Sequence, residues 1–103
     1  MAEQRKQRYV TKAINEELNI EIQVLLWELL DSIEVKRKDK MDYLQVFEIV
    51  NQGDNIKIIN RQEQPTMTVE LMIMKQGSMN IEDTIVWIII DLEYRTMLFP
   101  KDY

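Results

Sequence analysis

Residues 43–63 read YLQVFEIVNQGDNIKIINRQE, and the fold turns on how they divide. Tyr43–Val50 is dense in aromatic and β-branched residues, which suit a pleated, half-buried surface. Gln52-Gly53-Asp54-Asn55 interrupts them with turn chemistry: glycine admits positive φ, and Asp and Asn bond their own backbone. Ile56–Glu63 then resumes an extended pattern. Two strands about a short polar turn predict a β-hairpin.

Toward the C-terminus the extended character continues. Pro65 bars a central-strand position at that point, and Thr66–Met74 (TMTVELMIM) alternates as a third strand. Lys75–Glu82, with Gly77, Ser78 and Asn80, predicts a loop. Thr84–Asp91 (TIVWIIID) is almost wholly apolar, as expected of a central strand covered on both faces, or on one face and by a partner. Leu92-Glu93-Tyr94 turns the chain, and Arg95–Phe99 is a short last strand stopped by Pro100.

Toward the N-terminus the period changes. Ile22, Leu25, Leu26, Leu29, Leu30 and Ile33 recur at three-four spacing, predicting a helix from Ile20 to about Val35 with one apolar face. Trp27 lies at the edge of that stripe. Asn19 is the expected N-cap, with Glu21 in the first turn and the basic run Lys36–Lys40 at the far end, where cations favour the helix dipole. Asn15–Leu18 reads as a turn into the helix, Tyr9–Thr11 as a short strand, and residues 1–8 as a disordered polar tail. The expected architecture is α+β in a single domain, 1–103: one long amphipathic helix packed on a four- to five-stranded antiparallel meander.

Composition limits the chemistry. Apolar residues at 46% and charged residues at 30% mark a globular chain and not a disordered one. The chain has no cysteine and no histidine, which removes disulfides, thiolate metal sites, cysteine nucleophiles and His-based triads. Its longest apolar run falls far short of the roughly 20 residues a bilayer span needs, and Met1–Lys6 lacks the apolar core of a signal peptide; a cytoplasmic protein is expected. Ser32 and Ser78 sit in no nucleophile-elbow pattern. Gly53 and Gly77, the only glycines, cannot build a phosphate loop.

What remains for catalysis is the carboxylate pair Asp91 and Glu93, which an uninterrupted strand would place on one face beside Arg95. Such a pair can bind a divalent metal for phosphodiester cleavage. The commoner fate of such residues is a strand-to-turn junction, so no catalytic, metal or cofactor site is expected. Likewise Glu82 and Asp83 suit loop capping. Met67, Met72, Met74, Met79 and Met97 suit gap filling in and beside the sheet, while thioethers also serve adaptable binding faces.

The net charge of −5 is unevenly distributed. Residues 1–12 carry +3 and residues 36–40 carry +3, while residues 13–35 hold six acids and no base. Arg5, Lys6, Arg8 and Lys12 surround Tyr9, and this patch and Lys36–Lys40 are the places where nucleic acid could be held by phosphate contact and stacking. The acidic body favours a basic protein partner instead. The candidate contact residues are Glu21, Glu28, Asp31 and Glu34 on the helix, with Asp91, Glu93 and Tyr94 near the C-terminus. A homodimer through an edge strand or through Thr84–Asp91 is the other open association.

Five segments together carry a resemblance: Arg8–Thr11 (RYVT), Leu26–Asp31 (LWELLD), Asp42–Glu48 (DYLQVFE), Arg61–Pro65 (RQEQP) and Trp87–Leu98 (WIIIDLEYRTML). In that order the chain resembles a family of small proteins of unknown function from Gram-positive bacteria, their plasmids and phages. It departs from the family's pattern at Asn19, where proline is expected, and in the insertion-like Lys75–Glu82. The resemblance supplies no catalytic residues. It implies a mobile-element protein, and through that setting an anti-CRISPR inhibitor of a type II RNA-guided nuclease, acting by protein contact that blocks guide RNA or DNA loading. Such nucleases hold nucleic acid in positively charged channels, for which an acidic protein can compete.

Overall fold

The computed structural model describes residues 7–76 and 80–103. In chain order the elements are β1 (Gln7–Val10), α1 (Lys12–Glu17), α2 (Ile20–Arg37), a 3-10 turn (Lys38–Lys40), β2 (Leu44–Gln52), β3 (Asn55–Glu63), β4 (Thr66–Met74), β5 (Thr84–Ile90), β6 (Tyr94–Leu98) and a 3-10 turn (Pro100–Asp102). The six strands form one sheet in the order β1-β6-β5-β2-β3-β4. Among the described residues no helix is long and apolar enough to cross a membrane.

The α+β class stands, as does the long helix, but the sheet is not a four- to five-stranded antiparallel meander. β1 adds a sixth strand, parallel to β6, with Arg8 opposite Arg95 and Val10 opposite Met97. β5 does not pair with β4; it returns to lie antiparallel beside β2. Strands β2 to β5 therefore stand in the spatial order of a Greek key, with β6 and β1 added outside β5. β5 is thus internal, as its apolar sequence requires.

The central hairpin matches its sequence. Gln52 pairs with Asn55, and Gly53 takes φ +74 in the turn between them. β4 begins after a cis Gln64–Pro65 peptide. Asp42, just before β2, holds that corner: its Oδ2 accepts from the backbone N–H of Glu63 (3.2 Å) and Gln64 (3.0 Å).

Residues 15–18, expected as a turn, belong largely to α1. Thr11 caps this helix, accepting the Ile14 N–H at 3.3 Å, and Ile14 is fully buried. Thr11 is therefore a cap and not part of the first strand, which spans Gln7–Val10. Of the expected disordered tail, residues 1–6 lie outside the described residues, while Gln7 and Arg8 lie in β1. In the expected loop 75–82, residues 77–79 also lie outside them.

Asn19 caps α2 as expected, its Oδ1 accepting from Glu21 N (2.8 Å) and Ile22 N (3.3 Å). The helix runs two residues beyond Val35, to Arg37, and stops at Lys38, which has φ +54 and ψ −120. Ile22, Leu26, Leu30 and Ile33 form its buried row, while Leu25 and Leu29 flank it half-buried. That row lies on the sheet face built from Phe47, Ile49, Ile56, Ile58, Val86, Ile88 and Met97, all fully buried. Among the described residues no α-helix lies over the opposite face.

Candidate binding surface

Where α2 meets the β1–β6 edge, four charges alternate. Arg8 and Arg95 are cross-strand neighbours, and each reaches an acid of α2 three residues from the other. Arg8 Nη2 donates to Asp31 Oδ1, and its guanidinium lies 5.0 Å from the Trp27 ring centroid. Arg95 Nε donates to Glu34 Oε1 at 2.9 Å, and its Nη1 donates to the Asp91 carbonyl at 3.0 Å. Neither arginine side chain is well exposed, so these pairs are screened less than surface pairs and fix the helix to the sheet edge. Two of the four helix acids singled out in the sequence are thus held by the fold.

The other two differ. Glu21 and Glu28 are exposed and make no ion pair or side-chain hydrogen bond among the described residues. Around them the helix displays Ile20 (64% exposed), Val24 (49%) and, near its end, Val35 (74%). Glu21, Val24 and Glu28 stand at three-four spacing on one ridge. An apolar group flanked by carboxylates can enter a hydrophobic spot ringed by cations.

Asp91, Glu93 and Tyr94 form the exposed corner between β5 and β6 and not a continuous strand. The Asp91 N–H donates to the Tyr94 carbonyl (2.9 Å), and Asp91 Oδ1 accepts the Leu92 N–H (2.8 Å). The turn therefore breaks the alternation that would have set Asp91 and Glu93 side by side. The Asp91 carboxylate, through its charge first and its hydrogen bond second, raises the Tyr94 phenol above its ordinary value. The Tyr94 ring meets Tyr9 edge-on at 5.7 Å. Among the described residues no three acidic side chains converge as a metal site would require.

The basic patches are reduced by folding. Arg5 and Lys6 lie outside the described residues. Arg8 is turned onto Trp27 and Asp31, Lys12 pairs with Glu16 at 3.9 Å, and Arg37 is buried. Lys36, Lys38 and Lys40 remain exposed. Trp27 and Trp87 are both half-buried; Trp87 lies on the uncovered sheet face against Tyr103, with ring centroids 5.6 Å apart.

Sequence reading missed a buried polar cluster beneath the C-terminal end of α2. Arg37 Nη1 donates to Gln62 Oε1 (2.8 Å) and Gln45 Oε1 (3.3 Å); Gln45 Nε2 donates to Gln62 Oε1 (2.8 Å), and Asn60 Nδ2 to Gln45 Oε1 (3.0 Å). Gln62 Nε2 donates to the Lys40 and Pro65 carbonyls at 2.8 and 2.9 Å. Burial pushes the Arg37 guanidinium below its ordinary value. The available signal was parity: Gln45 shares a face with Phe47 and Ile49, and Asn60 and Gln62 share one with Ile56 and Ile58.

An open cleft lies between the α1–α2 link, residues 80–83 and the C-terminal turn. Three of its charged groups are engaged: Lys101 Nζ stands 3.7 Å from Glu17, and Asp83 Oδ1 accepts the Asn51 N–H at 2.8 Å.

The fold and this surface define a small α+β domain in which one long helix backs a Greek-key sheet. Residues 7–102 match the family described as a staphylococcal protein of unknown function (DUF960), and the chain belongs to that family. A crystal structure of a protein of unknown function from Enterococcus faecalis has the same fold, with a TM-score of 0.78 at 16% identity over 95% of this chain and 91% of that one. No curated protein matches the chain.

Proposed function

We propose that this chain is a non-enzymatic binding protein whose α2 ridge docks a basic protein surface. The observation that carries the reading is the exposed ridge itself. Ile20, Val24 and Val35 face solvent beside Glu21 and Glu28, whereas Asp31 and Glu34 bond Arg8 and Arg95. Exposed apolar side chains supply area to bury, and the surrounding carboxylates give fast, salt-sensitive association with a cationic partner. The acidic surface and the resemblance to mobile-element proteins make a type II RNA-guided nuclease the first partner to test, with guide or target loading as the blocked step.

The test is capture of a purified type II nuclease, apo and guide-loaded, by the immobilised chain, with DNA cleavage assayed in parallel. Glu21→Lys with Glu28→Lys should weaken capture at least about tenfold, since each interfacial charge pair lost costs on the order of 1 kcal/mol or more. Lys36→Glu with Lys38→Glu should weaken it much less. Absence of capture in both states, with cleavage unaffected, removes the nuclease. Equal loss from both charge reversals removes the ridge.

A further inference from the structure

At the far side of the sheet, β4 is an edge strand of nine residues with a single charge and no proline within it. Its hydrogen-bonding direction follows from the register. The Lys75 N–H donates to the Asp54 carbonyl at 2.8 Å, in line with Asn55 opposite Met74. Odd-numbered residues of β4 therefore turn their N–H and C=O toward β3, and Thr66, Thr68, Glu70, Met72 and Met74 turn theirs outward. Natural edges of this kind are usually blunted by lysine, proline or a bulge. Glu70, the one charge, is already paired with Lys57 at 3.3 Å.

Both faces of this edge are incompletely covered. On the helix side Met67, Val69, Leu71 and Ile73 are only half-buried, while their β3 neighbours Ile56 and Ile58 are fully buried. On the other side Met72 is 52% exposed and Met74 75%. The occupant that completes the site is an extended strand with apolar side chains on both faces, and β4 itself has that pattern.

We propose that two copies of this chain join β4 to β4 in antiparallel fashion, extending the sheet across a twofold axis at Leu71. Residues that pair across such an axis share a face, so the dyad falls on a residue. Glu70 at the dyad would set two carboxylates opposite one another, which is unfavourable. Leu71 at the dyad sets Glu70 opposite Met72, Thr68 opposite Met74 and Val69 opposite Ile73 of the second copy. Every hydrogen-bonded pair in that register uses outward-pointing groups, and the half-buried row of each copy covers the other's.

Sedimentation of the full chain across concentration tests this, and the expected species is a dimer. Met72→Pro deletes an N–H that points away from β3, so it should leave the circular dichroism intact and weaken dimerisation at least about tenfold, given the several edge bonds and apolar contacts it disturbs. Met72→Lys with Met74→Lys should act alike, and serves if the proline variant does not fold. Because the chain has no cysteine, Leu71→Cys should give a disulfide-linked dimer on oxidation and Glu70→Cys should not. A monomer at all concentrations overturns the proposal. So does a dimer indifferent to the folded edge variants, or cross-linking at position 70 without cross-linking at position 71.

Discussion

Asp91 and Tyr94 flank the turn that the sequence predicts at Leu92–Tyr94. Asp91 stands at the strand-to-turn junction expected of it: it bonds Leu92 N and Tyr94 O, and the chain leaves the strand before Glu93 is reached. Its carboxylate repels tyrosinate and accepts the phenolic hydrogen, so the neutral form of Tyr94 is favoured in the folded protein. The sign follows: this contribution is present below the ordinary tyrosine pKa and fades as pH rises through the raised one. Asp91→Asn should therefore lower the Tyr94 titration toward its ordinary value. Tyrosinate absorbance, with Tyr94→Phe subtracted to remove the other three tyrosines, reads this directly. An unmoved curve would place the cause elsewhere.

Among the elements, α2 is the most legible and its end the least. The three-four row from Ile22 to Ile33 and the Asn19 cap are local features, and both appear where the sequence puts them. The stop at Lys38 is not local. The basic run suggested a cation-stabilised terminus, but the chain leaves the helix through φ +54 and ψ −120 at a lysine, a conformation that favours glycine. Lys38→Gly should accordingly stabilise the fold by about 1 kcal/mol. In a domain of this size that raises Tm by about 4–8 °C, measurable by thermal melting. α1 went unread for a different reason. Six residues are too few to show a helical period, and its cap, Thr11, looked like the end of a strand.

At the scale of the whole molecule, the polar cluster joins pieces that are distant in sequence. Gln62 accepts from Arg37, Gln45 and the Asp42 N–H (3.3 Å), and donates to the carbonyls of Lys40 and Pro65. One side chain therefore ties the end of α2, the entry to β2 and the corner between β3 and β4. Gln62→Leu keeps the volume but strips Arg37 of its shortest hydrogen bond inside the protein. The expected loss is about 3 kcal/mol, read by denaturant unfolding, because a buried cation is left poorly paired. Arg37→Met with Gln62→Leu should recover part of it, since an apolar pair leaves less unsatisfied. A double variant no more stable than the single would show that Arg37 is not the source of the loss.

The sequence by itself determined the chemistry that was excluded, the α+β class, the hairpin of Tyr43–Val50 and Ile56–Glu63, the long helix and the apolar character of β5. Each depends on residue types or on periods a few residues long, and those survive any tertiary arrangement. Only the tertiary structure decided that β5 returns to β2 and that β1 lies parallel to β6, because strand partners are chosen by burial across the sheet and not by neighbours in the chain. It also decided which acids face outward. Asp31 and Glu34 read in sequence like Glu21 and Glu28; the register that sets Arg8 beside Arg95 draws the first two inward and leaves the second two on the surface.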